Sequence, residues 1–389
     1  MPFGQLVIGP PGSGKSTYCN GMHQFLSAIG RKCSIVNLDP ANERTSYPCA
    51  LDIRSLITLE EVMEEEGLGP NGGVLYALEA LEKQRGWLEE GLRALGEDYV
   101  LFDCPGQVEV FTHHGSLRNV FLRIQRRGYR VRLSFPFAFY PSPGFSPPPA
   151  QTRWPLKEEK ADIRDRNQLV ALHLTDSYSL TLPSLYISTL LLSLRAMLQM
   201  DLPHLNVLTK IDNLASYGPL PFPLVFYTEV HDLSYLLPHL AAEHPTTTSR
   251  HANFDGLNRA VIELVEEFGL VAFETLAVED KRSMMTLLQA VDRAGGYAFG
   301  GAEGANDTVW QVAMREGMKG LTVQDVQERW IDRKEEFDEV ERVEMEAARK
   351  EAEAEAAPSV GGAGGQFDDV DGLGEEWGPG SGTTVVRRS

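Results

Sequence analysis

A doubly wound α/β fold, with a mostly parallel sheet covered by helices on both faces, is predicted for this chain by three observations. Short, continuously apolar runs recur at Gln5 to Ile8, Ser34 to Leu38, Tyr99 to Phe102, Val170 to Leu174 and Asn206 to Leu208. Helix-period stretches lie between them, notably Ser16 to Ile29, Gly73 to Leu95 and Pro183 to Gln199. Strands that read as unbroken apolar runs are covered on both faces, and parallel neighbours need helical crossovers to join them. The third observation is the connection after the first strand. There, Gly9-Pro10-Pro11-Gly12-Ser13-Gly14-Lys15-Ser16-Thr17 fits Gly-x-x-x-x-Gly-Lys-Ser/Thr, the phosphate-binding loop of P-loop NTPases.

In that loop the backbone N–H groups from Gly12, Ser13 and Gly14 into the helix that opens at Lys15, Ser16 and Thr17 converge on phosphate oxygens. Lys15 adds a point charge, and the Ser16 hydroxyl is of the type that ligates Mg²⁺. The plain alternative is a glycine-rich strand-to-helix turn with no ligand. After the second strand, Asn37-Leu38-Asp39-Pro40-Ala41-Asn42 places Asp39 near the phosphates as a water-orienting or metal-shell carboxylate, or else forms a simple Asp-Pro turn. Cys49-Ala50-Leu51-Asp52-Ile53-Arg54 then occupies the position of a first switch segment, with Asp52 as its candidate. Gly67-Leu68-Gly69-Pro70-Asn71-Gly72-Gly73 reads locally as a tight turn beside a helix start, which needs no function.

The strand Val100-Leu101-Phe102 ends in Asp103-Cys104-Pro105-Gly106-Gln107. An Asp in that place holds Mg²⁺ through water beside the phosphate loop, Gly106 admits a γ-phosphate close to the backbone, and Gln107 is placed to orient the attacking water. A polar strand-end turn is the bland reading. Farther on, Thr209-Lys210-Ile211-Asp212 follows the apolar run Leu205 to Leu208. The Asp212 carboxylate matches the N1–H and exocyclic amino donors of guanine, which adenine does not offer, and Lys210 lays its stem along the base. As the third motif in order, each after a strand, it favours GTP over ATP. Leu276-Ala277-Val278 is the expected base-contacting backbone.

Composition bounds the rest. With 389 residues, 42% apolar and 23% charged, the chain has the profile of a globular protein of one large domain or two ordinary ones. A formal charge of -19 argues against a nucleic-acid-binding face. No charged-then-apolar leader precedes the first strand, and the most apolar stretch, Leu185 to Leu198, is interrupted by Ser188, Thr189, Ser193 and Arg195, so neither secretion nor a membrane span is expected. Cys19, Cys33, Cys49 and Cys104 lack the spacing of a zinc site or a disulfide framework.

Two stretches break the pattern. From 131 to 168, prolines at 136, 141, 143, 147, 148, 149 and 155 forbid regular helix or central strand, so the segment reads as an insertion. From Asp332 onward, sixteen Asp/Glu stand against seven Lys/Arg, a net of -9. That tail is expected to begin as a charged helix to Ala356, to end in Gly-rich acidic sequence and, over 332–389, to be largely disordered. The expected organisation is therefore a nucleotide-binding domain at 1–300, an extension at 301–331 and an acidic tail at 332–389.

Taken together, Gly-Pro-Pro-Gly-Ser-Gly-Lys-Ser-Thr, Asn-Leu-Asp-Pro-Ala, Gly-Pro-Asn, Asp-Cys-Pro-Gly-Gln-Val-Glu and Thr-Lys-Ile-Asp resemble the GPN-loop GTPases over about residues 4–300, apart from the proline-rich segment. Thr112 to Gly115, His173 to Ser177 and Tyr227 to Tyr235 look most like the eukaryotic GPN-loop GTPase 2 branch. The resemblance implies that Gly69-Pro70-Asn71 reaches across a dimer interface, with Asn71 contacting phosphate in the partner's site, and that Asp39, Asp103, Gln107 and Glu109 complete the hydrolytic shell. It implies GTP/GDP and Mg²⁺ as ligands, slow GTP hydrolysis, and homo- or heterodimers with sister GPN-loop proteins. It further implies a role in RNA polymerase II assembly and nuclear import, with a cytoplasmic protein that shuttles to the nucleus. The segment at 131–168 is foreign to the family pattern, as a lineage-specific insertion or translated intron. Competing readings are a nucleotide-dependent scaffold with negligible hydrolysis and a related P-loop ATPase.

Overall fold

The computed structural model describes residues 3–126, 169–243, 252–296 and 321–356. The expected insertion at 131–168, residues 301–320 of the expected extension and tail residues 357–389 lie outside the described residues. The chain divides into two units, Met1–Glu335 and Glu336–Ser389.

In the first unit, seven strands form one sheet, numbered in chain order: β1 (Gly4–Ile8), β2 (Cys33–Asn37), β3 (Cys49–Asp52), β4 (Tyr99–Asp103), β5 (Leu169–Asp176), β6 (His204–Thr209) and β7 (Phe273–Thr275). Their order across the sheet is β3-β2-β4-β1-β5-β6-β7, and every pairing is parallel. Alternation along β1 divides the core. Leu6 and Ile8 point to one face, Val7 to the other, and all are fully buried.

Helices are likewise numbered along the chain. On the Val7 side pack α1 (Lys15–Ala28), through Tyr18, Cys19, Met22 and Leu26, and α11 (Lys281–Gly295), through Met284, Leu287, Leu288 and Val291. On the other side lie α3 (Pro70–Lys83), α4 (Arg85–Ala94), α5 (Val108–Thr112), α6 (Gly115–Arg126) and part of α7 (Pro183–Met200). Helices thus cover both faces of a parallel sheet, as the apolar runs predict. A further cluster surrounds the outer side of α7 and includes α8 (Leu224–Glu229), α9 (Leu236–Glu243) and α10 (Ala252–Phe268).

Local chemistry sets several boundaries. α2 (Leu59–Glu66) opens on a capping box, Thr58 with Glu61, and stops at the left-handed Gly67. α3 starts at Pro70, whose fixed φ suits the first helical position. The expected helical stretch from Gly73 to Leu95 is two helices, broken at Gln84 where the backbone turns to φ -90°, ψ 62°. The segment at 49–52, read from sequence as part of a first switch segment and not as a strand, is the edge strand β3.

The described part of the second unit, 336–356, is helical, and its Arg342 pairs with Glu339 at 2.6 Å and Glu346 at 3.0 Å. All four cysteines are free thiols. Among the described residues, no helix is long and apolar enough to cross a membrane.

Candidate active site

The carboxyl ends of β1, β4, β5 and β6 lie side by side, and the motifs converge there. Neighbouring strands whose connections leave in opposite directions create the crevice in which open α/β sheets hold ligands. The loop after β1 takes the backbone through φ 147° at Gly9, 78° at Gly12 and 88° at Gly14. Gly9 is required twice over, because a Cβ there would sit 2.2 Å from the Leu174 carbonyl oxygen.

Lys15 is buried and donates from Nζ to the carbonyls of Gly9 and Pro10, each at 3.1 Å. Burial lowers its pKa, while the nearby charges of Asp103 and Asp39 act in the opposite sense. Gly106 passes directly over this ammonium, so that a Cβ at 106 would lie 2.9 Å from Nζ.

Asp103 ends β4 with only 1% of its surface exposed. Its Oδ2 accepts from the Ser16 hydroxyl at 2.7 Å and from the Tyr47 hydroxyl at 2.7 Å. Burial raises the Asp103 carboxyl, and the two hydroxyl donors and Lys15 offset part of that rise. Its Oδ1 and the Ser13 Oγ are buried without a hydrogen-bond partner among the described residues. A serine hydroxyl next to a carboxylate with one oxygen still open suits a hard, oxygen-seeking divalent cation, so the residues fit Mg²⁺.

Asp39 shapes its own turn. Its carboxylate accepts from the Ala41 N–H at 3.0 Å, and its N–H donates to Asn37 Oδ1 at 3.1 Å. Burial raises its pKa, and its charge reaches Lys15. Asp52, by contrast, gives both carboxylate oxygens to Arg54 and accepts from Asn37 at 3.1 Å, which fastens β3 to β2. Gln107 Nε2 donates to Asn71 Oδ1 of the same chain at 3.2 Å. Gly69, Pro70 and Asn71 are all exposed at the start of α3, and Glu109 is exposed on α5.

The guanine-type motif joins the phosphate loop through Thr209. Its buried hydroxyl lies 2.8 Å from the Ser13 carbonyl and 3.1 Å from the Thr175 carbonyl. Lys210 sits in the left-handed region at φ 56°, with Nζ 2.7 Å from Asp176 Oδ2 and its carbonyl accepting from Ser177 at 3.0 Å. Parallel register puts Asp176 opposite Thr209, which explains that ion pair. Asp212 is half-buried in the turn that follows, and Lys334 Nζ donates to its carbonyl. The Ile211 N–H donates to the Leu276 carbonyl at 3.3 Å, so the segment expected to contact the base lies against this motif.

The structure therefore brings together the phosphate loop, Asp39, Asp103, Gly106 and the Thr209 motif, and sets Asn71 beside Gln107 at the surface. Two residues escaped the sequence reading. Asp176 carried a usable signal, a carboxylate at the end of an expected strand, whereas Tyr47 carried none.

The phosphate-loop motif and the guanine-type motif lie together at the carboxyl end of the sheet, and this organisation is that of a P-loop GTPase. A family model described as a conserved hypothetical ATP binding protein matches residues 7–134 and 154–297. GPN-loop GTPase 2 of Saccharomyces cerevisiae is 47% identical over 356 residues, covering 91% of each chain. GPN-loop GTPase 2 of Danio rerio is 44% identical, covering 85% of this chain and 93% of its own. GPN-loop GTPase QQT1 of Arabidopsis thaliana is 45% identical, covering 78% and 88%. A GTPase from Pyrococcus abyssi, solved in the apo form, shares the fold at a TM-score of 0.52 and 20% identity, covering 76% of this chain and 98% of that one. The chain belongs to the GPN-loop GTPase family and is a GTPase.

Proposed function

We propose that this GTPase works as a dimeric switch in which GTP and Mg²⁺ hold one state and hydrolysis to GDP and phosphate releases it. Ser16 and Asp103 would hold Mg²⁺, which neutralises charge on the transferred phosphoryl group. Lys15 exchanges its loop carbonyls for phosphate oxygens, and the backbone N–H groups of residues 12–17 cradle the rest. Gln107 orients the attacking water through its amide, and Asn71 of the other subunit donates to the charge that develops in the transition state.

The observation that carries this reading is the exposure of Gly69, Pro70 and Asn71 at the start of α3, which leaves an amide open to a second subunit; on dimerisation Asn71 would exchange its bond to Gln107 of its own chain for phosphate in the partner's site. In the same reading the partner is a second copy or a sister GPN-loop protein. Its clients are RNA polymerase II subunits or assembly factors, and the protein is cytoplasmic with nuclear shuttling. The test mixes Asn71→Ala subunits with subunits disabled at Lys15. Restored hydrolysis in the mixture, with Asn71→Ala alone slowed by roughly 10²-fold or more, is expected. Normal turnover by Asn71→Ala homodimers would overturn the shared site.

A further inference from the structure

We propose that Tyr47 is a positioning residue for the Mg²⁺ shell, holding Asp103 in the rotamer that presents its second oxygen to the cation and tying the exposed segment before β3 to that shell. The inference rests on the Mg²⁺ site proposed above.

The tie is specific in its geometry. Tyr47 and Ser16 both donate to Oδ2 of Asp103, each at 2.7 Å, across 56 and 87 residues of sequence. One carboxylate oxygen with two donors is locked, since rotation about the side chain would break both bonds together. The other oxygen, Oδ1, is buried and has no partner among the described residues. Such a divided carboxylate, with one oxygen fastened and one open, is how residues behind a metal ligand set its direction.

Tyr47 is itself firmly placed. Only 5% of its surface is exposed, and its ring belongs to the cluster formed by Val7, Tyr18, Cys19 and Ile35. Residues 41–46, which lead into it, are exposed or half-exposed, so Tyr47 is the buried anchor of an otherwise solvated stretch. A phenol is protonated at neutral pH and a carboxylate oxygen only accepts, so Tyr47 is the donor of this bond. A change in the metal shell therefore has a route to residues 41–46 through this hydroxyl, beside the separate tie of Ala41 N–H to the Asp39 carboxylate.

Tyr47→Phe keeps the ring and removes only that donor. The affinity of a fluorescent GDP analogue is measured across a Mg²⁺ titration for the intact protein, Tyr47→Phe and Asp103→Asn, with thermal melting as the fold control. The Mg²⁺ midpoint of Tyr47→Phe is expected to rise roughly tenfold, with Mg²⁺-free GDP affinity within about twofold of the parent. A midpoint within about twofold of the parent, while Asp103→Asn shifts strongly, would overturn the role of Tyr47 and leave the metal site standing. If the parent itself shows no Mg²⁺ dependence, the metal reading fails and the role of Tyr47 falls with it. Should Tyr47→Phe not fold, hydrogen exchange of residues 41–47 in the parent decides the matter. Added Mg²⁺ on top of GDP is expected to slow exchange there, and unchanged exchange would refute the coupling.

Discussion

Thr209→Val tests whether the base-reading and phosphate-binding halves of the site are mechanically joined. The Thr209 hydroxyl lies 2.8 Å from the Ser13 carbonyl and 3.1 Å from the Thr175 carbonyl, on a residue with 2% exposure. Valine fills nearly the same volume, so the substitution opens no cavity and removes only the donor. A buried hydrogen bond of this kind contributes about 1–2 kcal/mol once the partly orphaned acceptor is included. For a domain of this size, each kcal/mol moves the melting midpoint by about 2–4 °C, giving an expected drop of about 2–8 °C. Because the bond fixes Ser13 within the loop that grips phosphate, GDP affinity should fall about 5- to 30-fold, the equivalent of 1–2 kcal/mol. Thr209→Ser keeps the hydroxyl and should restore most of the affinity. Differential scanning fluorimetry and fluorescent-GDP titration read the two quantities. If Thr209→Val melts within about 1 °C of the parent and binds GDP within about twofold, the joint carries no load and the reasoning fails.

Two other expectations follow from the same geometry. Gly9→Ala places a Cβ 2.2 Å from the Leu174 carbonyl at a positive φ, so the loop must shift; GDP binding measured by titration should fall more than about 100-fold, and near-parental affinity would contradict the close approach. Burial pushes His173 down to about 4 and, together with His173 itself, pushes His204 down to about 3. A folded-state pKa below the unfolded value means that the unfolded chain takes up the proton first. Stability is then full above about pH 6.5 and is lost as pH falls toward 4, by about 3 kcal/mol from His173 alone. Urea titrations across that window should show this slope, and His173→Gln should flatten it; an equal slope in the variant would remove His173 as its source.

Most of the sheet was legible because β1, β2, β4, β5 and β6 are covered on both sides and read as unbroken apolar runs. β3 was not, since an edge strand of four partly exposed residues, ending in an aspartate claimed by Arg54, has the texture of a loop. The break at Gln84 escaped as well, because no proline interrupts the helix-period pattern there. In the site, the phosphate loop, Asp103 and Thr209 to Asp212 each compress their chemistry into contiguous residues. The Tyr47–Asp103 bond and the Asn71–Gln107 pair span 56 and 36 residues, and such contacts exist only after the sheet has closed.

The placement of β1 between β4 and β5 has a consequence for how the protein is made. The phosphate loop leaves the ribosome well before its braces, since Asp103 and Thr209 emerge roughly a hundred and two hundred residues later. A nascent chain therefore carries its phosphate-binding loop through roughly two hundred residues of synthesis before both braces are present, and its apolar β1 waits about a hundred residues for its neighbour β4. A phosphate grip that needs Asp103 and Thr209 in place is thus completed late, on strands that have already joined the sheet.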